Sequence, residues 1–158
     1  MLIKPMTDEF LHEYANVVRS SFATVAKEFG YTDSPEFTTS ITNELLTEKT
    51  VKGYYPFGAC VDDKIVGFVS ITDKGDGVYE MAKLTVLPEF RHLGYGKALL
   101  DFCKQKVCGL GGQKIVINLM EDDIRLKNWY LANSFVHKSA TMHDHIPFLV
   151  GYMEWMKD

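Results

Sequence analysis

The spacing of apolar and polar positions changes several times along the chain, and each change marks an element. Residues 2–6 form a short extended run. Thr7 follows as an N-cap candidate, with Asp8 and Glu9 in the first turn, where a helix dipole favours negative charge. Phe10, Tyr14, Val17, Val18 and Phe22 recur at three- and four-residue spacing, which predicts an amphipathic helix. Gly30, Tyr31, Thr32 and Asp33 interrupt it. Ser34 and Pro35 then read as N-cap and first helical proline of a second helix running through Phe37, Ile41 and Leu45.

After Gly53 the period shortens. Residues 55–61, 65–72 and 78–86 read as three strands joined by turns at 62–64 and 73–77, which is an antiparallel meander. Leu99, Phe102, Cys103 and Val107 restore helical spacing until Gly109, Gly111 and Gly112 stop it. A buried strand at 114–119, a short helix at 124–133 and a pair of strands at 136–138 and 149–155 complete the pattern. No repeat, low-complexity tract or linker interrupts it. The expectation is one domain over residues 1–158, of mixed α/β (α+β) class.

Composition narrows the function classes. The chain has 158 residues, enough to bury a substantial core, with 46% hydrophobic and 24% charged residues. Its formal charge of −4 lacks the cationic surface that binds phosphate backbones, so nucleic acid is not an expected partner. A cationic small molecule or a lysine-bearing peptide suits that charge better. No window approaches the roughly 18 apolar residues that span a membrane, and the first residues lack a basic-then-apolar leader pattern. The expected location is cytoplasmic, with no membrane partner. Cys60, Cys103 and Cys108 show no CxxC spacing and read as reduced thiols.

The chemistry concentrates in one stretch. Leu84, Thr85, Val86, Leu87 and Pro88 end a strand, Arg91-x-x-Gly94-x-Gly96 forms a loop, and a helix begins directly. Glycines permit positive φ and close approach of backbone to a ligand. Loop amides and the unpaired N–H groups of a first helical turn then converge, which suits a phosphate or diphosphate. A dinucleotide-binding loop would need a small residue where Leu99 stands and a preceding βαβ start. A P-loop would need Gly-Lys-Ser/Thr, which is absent here. A plain glycine-rich turn remains as the third reading.

This stretch resembles the signature of the GCN5-related N-acetyltransferase superfamily, Arg/Gln-x-x-Gly-x-Gly/Ala opening a helix. The resemblance extends to the two early helices, the meander, the Leu84-x-Val86-x-Pro88 lead-in and the segment from Trp129 and Tyr130 to Phe135. It implies a central, mostly antiparallel twisted sheet of about seven strands with about four helices, splayed between the fourth and fifth strands. It also implies acetyl-CoA as co-substrate. The motif from Arg91 through His92, Leu93, Gly94, Tyr95, Gly96 and Lys97 would hold the diphosphate. Leu84, Thr85 and Val86 would line the pantetheine arm, and a backbone N–H there would polarise the thioester carbonyl. Tyr130 would protonate the departing sulfur, although a core aromatic is the alternative, because Leu126, Trp129, Tyr130 and Asn133 share a helical face.

Aminolysis also needs a proton acceptor. Strand periodicity puts Glu80, Ala82, Leu84 and Val86 on one face, so Glu80 is the candidate base, against a solvent-facing glutamate or a water chain. Two positions depart from the resembled pattern. Asp123 stands where an asparagine contacts the coenzyme, and a carboxylate accepts but does not donate. Ser134-Phe135 replaces Gly-Phe, with Asn133 as the candidate for the left-handed conformation. His143, Asp144 and His145 lack metal-ligand spacing with His137, so no metal is expected. That segment, with Phe29 and Tyr31, is expected to border the acceptor groove, with His143 or His145 touching substrate or serving as an alternative base. The expected activity is transfer of acetyl to a primary amine of a small molecule or peptide by direct attack in a ternary complex. A non-catalytic acyl-CoA binding domain is the alternative. A homodimer through the late strands or an exposed edge is compatible with the pattern.

Overall fold

A computed structural model describes residues 1–34 and 40–158. The strands are β1 (Leu2–Pro5), β2 (Tyr54–Val61), β3 (Lys64–Gly75), β4 (Val78–Val86), β5 (Lys114–Met120), β6 (Val136–Thr141) and β7 (Val150–Met156). The helices are α1 (Leu11–Phe29), α2 (Ile41–Glu48), α3 (Tyr95–Gly109) and α4 (Ile124–Ala132). Thr7 makes no side-chain cap; a 3₁₀ turn at Asp8–Phe10 leads into α1 instead. Gly30, at φ 80°, takes the left-handed conformation that ends α1. Pro35 and Phe37 lie outside the described residues, and α2 follows Ser40.

The strands form one mixed sheet in the order β1-β2-β3-β4-β5-β7-β6. Every neighbouring pair is antiparallel except β4 and β5. Tyr14 of α1 stacks on Phe68 with ring centroids 4.9 Å apart, while Leu99 of α3 lies 3.0 Å from where a Cβ on Gly67 would sit. Successive strand residues point to opposite faces, so α1 and α3 cover the two sides of the sheet.

The parallel pair is short. β4 and β5 match only at Val78 with Lys114, Tyr79 with Ile115 and Glu80 with Val116. Just beyond, β4 carries a bulge: Ala82 pairs Ser70 and Thr85 pairs Phe68, so Lys83 and Leu84 together face Val69. Lys83 sits at φ 54°. An extra residue bends and twists its strand, and here it falls where β4 parts from β5. The strict alternation expected from Glu80 through Val86 is therefore broken at Lys83. The divergence leaves main-chain groups of β4 facing a gap.

Candidate functional site

The loop after β4 is built by its backbone. Leu87 donates to Val66 O at 2.8 Å, a 3₁₀ turn covers Pro88–Phe90, and His92 and Gly94 then adopt φ of 62° and 85°. Gly94 is the N-cap of α3, its carbonyl accepting from the Ala98 amide at 3.0 Å. The amides of Tyr95, Gly96 and Lys97 belong to the first turn, which has no intrahelical acceptor and carries the positive end of the dipole. A Cβ on Gly96 would meet a single neighbouring atom within 4 Å, Val86 Cγ2 at 3.9 Å. Packing does not demand glycine there.

The Arg91 side chain, expected at the diphosphate, is directed into the protein. Its Nε donates to Val86 O at 3.1 Å and a terminal nitrogen donates to Ser21 O at 3.3 Å. Ser21 Oγ donates to the same Val86 carbonyl at 3.1 Å. Arg91 thus locks the loop to the end of β4 and to α1. Its pKa falls below the ordinary guanidinium value, first through burial and then through Arg125 nearby.

The gap between β4 and β5 opens into a cavity of about 550 Å³. One wall runs from Glu80 to Leu84 and the other from Ile117 to Met120. Asp123, Leu126 and Tyr130 of the α4 region close one side; Phe22, Val25, Glu44 and Glu48 reach in from α1 and α2; His143, His145, Phe148 and Tyr152 complete it. Lys83 is 9% exposed, and its ammonium pairs with Glu48 at 2.5 Å and Glu44 at 3.4 Å. Glu80 is more open, its carboxylate 4.0 Å from Lys74. Carboxylates outnumber ammonium groups on this wall. Tyr130 is packed between Trp129 and Phe135, at centroid distances of 5.0 Å and 5.1 Å. Burial, with a smaller contribution from Cys103, pushes its phenol pKa up, so the hydroxyl keeps its proton. Across the cavity, His143 Nε2 and Tyr152 Oη are 2.7 Å apart.

The sequence profile described as the acetyltransferase (GNAT) family matches residues 19–135, most of the chain. The chain belongs to the GNAT family. No curated protein matches it by sequence. Among solved structures, the PaiA N-acetyltransferase of Thermoplasma acidophilum, in complex with coenzyme A, superposes with a TM-score of 0.81. It is 19% identical, with 99% of this chain and 100% of that one covered. The ribosomal-protein-S18-alanine N-acetyltransferase of Escherichia coli gives 0.79 at 12% identity, over 98% and 92% of the two chains. An aminoglycoside 6'-N-acetyltransferase complexed with coenzyme A gives 0.74 at 13%, over 99% and 97%. At such identities these likenesses show the fold, a GNAT sheet with its parted central strands.

Within this GNAT cleft, Tyr130, Glu80, Leu84, Asp123, His143 and His145 line one cavity. Thr85 and Val86 are buried behind it. Asp123 accepts from the Leu126 amide at 3.1 Å and so caps α4, the use a carboxylate has at a helix N-terminus. Leu93 is exposed, and Lys97 pairs with Asp101 one turn on. Phe29 and Tyr31 do not reach the cavity; they pack with Ala26 and Met120 behind Phe148. The left-handed residue after α4 is Ser134 at φ 68°, not Asn133, whose amide donates instead to Trp129 O at 2.8 Å. His137 meets Glu121 at 2.9 Å, and among the described residues no cluster of three or more metal-ligating side chains forms. All three cysteines are free.

Sequence reasoning missed Ser21, Lys83, Glu44, Glu48 and Tyr152. Ser21 left a signal, as a polar residue on the apolar face of α1. The others depend on how α2, β4 and β7 converge.

Proposed function

We propose that the protein transfers the acetyl group of acetyl-CoA to a primary amine of a small molecule or peptide, in the cytoplasm, by direct attack within a ternary complex. One observation carries this reading: the cavity follows the edge of β4 where it parts from β5 and ends among carboxylates, while the loop after β4 leads directly into the open N-terminus of α3. The two left-handed residues and the uncrowded Gly96 fit a diphosphate. Two fold neighbours were solved with coenzyme A, which supports the same co-substrate here.

Acetyl-CoA supplies the activated acyl group. The main chain of β4 near Leu84 lies where an N–H can stabilise charge developing on a carbonyl oxygen. The Tyr130 hydroxyl, held protonated, donates toward the departing sulfur. Glu44, Glu48 and Glu80 attract an acceptor that arrives as an ammonium ion. That ammonium must lose a proton before it can attack, and the cleft offers Glu80, His143 and solvent as acceptors.

The direct test mixes purified protein with acetyl-CoA and a panel holding a diamine, an aminoglycoside and short peptides. Free thiol appearing in proportion to one amine supports the reading. Thermal stabilisation by acetyl-CoA with thiol release equal to the protein-free control would instead make this a binding domain.

A further inference from the structure

We propose that Tyr152 and His143 form the relay that takes the proton from the acceptor ammonium. The inference rests on the acetyl-transfer reading above and identifies the base within that same cleft. Tyr152 lies on β7 in register with Asn118 of β5, so its ring is carried by the cavity's own wall rather than by a loop. Its hydroxyl is 2.7 Å from His143 Nε2, and both side chains are half-buried in the cavity that holds Tyr130. His143 belongs to the segment between β6 and β7, whose neighbouring residues Met142 and Asp144 are exposed. The pair therefore joins the cavity to water.

The proton balance is simple. The ammonium nitrogen gives one proton to Tyr152 Oη as the phenol gives its own to His143 Nε2. The amine is left neutral, the phenol is unchanged, and the imidazolium passes its proton to solvent. The groups sharing the surroundings of His143 are Tyr152 and His145 on its own side, with Glu44, Glu48, Glu80 and Lys83 across the cavity. Glu80 is less suited. It stands at the last residue pair before β4 and β5 part, and its carboxylate is turned toward Lys74.

The test compares two primary amines of similar size at neutral pH. Butylamine is almost wholly protonated, whereas trifluoroethylamine is mostly free base. Only the first must give up an ammonium proton before it can attack. His143→Gln and Tyr152→Phe should each lower kcat for butylamine by about tenfold or more, with a much smaller loss for trifluoroethylamine. The wild-type acid limb of the butylamine pH profile should move in both variants. Equal losses for the two amines, or a selective loss in Glu80→Gln alone, would overturn the relay. A second measurement needs no acceptor: NMR titration of the His143 imidazole in the wild type and in Tyr152→Phe. A shifted midpoint supports the relay, and an unmoved one overturns it. Wild-type protein that acetylates neither these amines nor the diamine, aminoglycoside and peptides counts against the acetyl-transfer reading itself, and the NMR titration then reads only the coupling of Tyr152 to His143.

Discussion

Burial does two things to Tyr130: it packs the ring between Trp129 and Phe135, and it holds the proton on the hydroxyl. Replacement by phenylalanine separates them, because the ring and its packing stay while the donor goes. Tyr130→Phe should change stability by less than about 1 kcal/mol, the usual scale of one hydrogen bond. It should lower kcat roughly a hundredfold while leaving acetyl-CoA affinity within about twofold, since no diphosphate contact is touched. Steady-state kinetics and a binding titration on the same preparation check this; parallel loss of affinity and turnover would contradict the assignment. The place of Tyr130 beside the cavity was legible because it stands in a motif-bearing segment. The Lys83 ammonium between Glu44 and Glu48 was not, because its side chain leaves a bulge whose φ of 54° no pattern of apolar residues announces.

At the scale of elements, the bounds of β4 were read correctly but its bulge was not. Both faces of that strand are half-buried around residues 82–84, so an inserted residue leaves no contrast in the alternation. The start of α1 was misread for a related reason: Thr7 has the right chemistry for a cap, yet the chain enters by a 3₁₀ turn. Farther along, Glu121 joins the end of β5 to α4 and β6 through Lys127 and His137. Hydrogen bonds from Lys127 and then His137 hold its pKa below the ordinary carboxylate value. A lowered folded-state pKa means a contribution fully present above the unfolded carboxylate's range and lost as pH falls through the folded value. Glu121→Gln should therefore lower Tm at pH 7, with the gap closing toward about pH 3. Melting curves of both proteins at the two pH values test it; a constant gap would show that packing, not charge, accounts for the loss.

Across the whole molecule, the order of strands and helices was readable because each element keeps its own period, and the loop after β4 was readable because its chemistry is contiguous. The acceptor end was not. It draws a few residues each from α1, α2, β4, β7 and the segment before β7, and only folding brings them to one cavity. Phe29 and Tyr31 show the limit: they lie beside that cavity in the chain's path but back its wall rather than line it. The proposed function rests on a grip of the α3 N-terminus on a diphosphate carrier, and calorimetric titration of acetyl-CoA tests it most directly. Wild-type protein should give saturable heat. Gly96→Leu, whose Cβ would have only Val86 Cγ2 within 4 Å and which removes a helix-weakening glycine, should melt no lower yet bind at least about tenfold more weakly. No heat from folded wild-type protein, or equal binding by the two, would contradict the account.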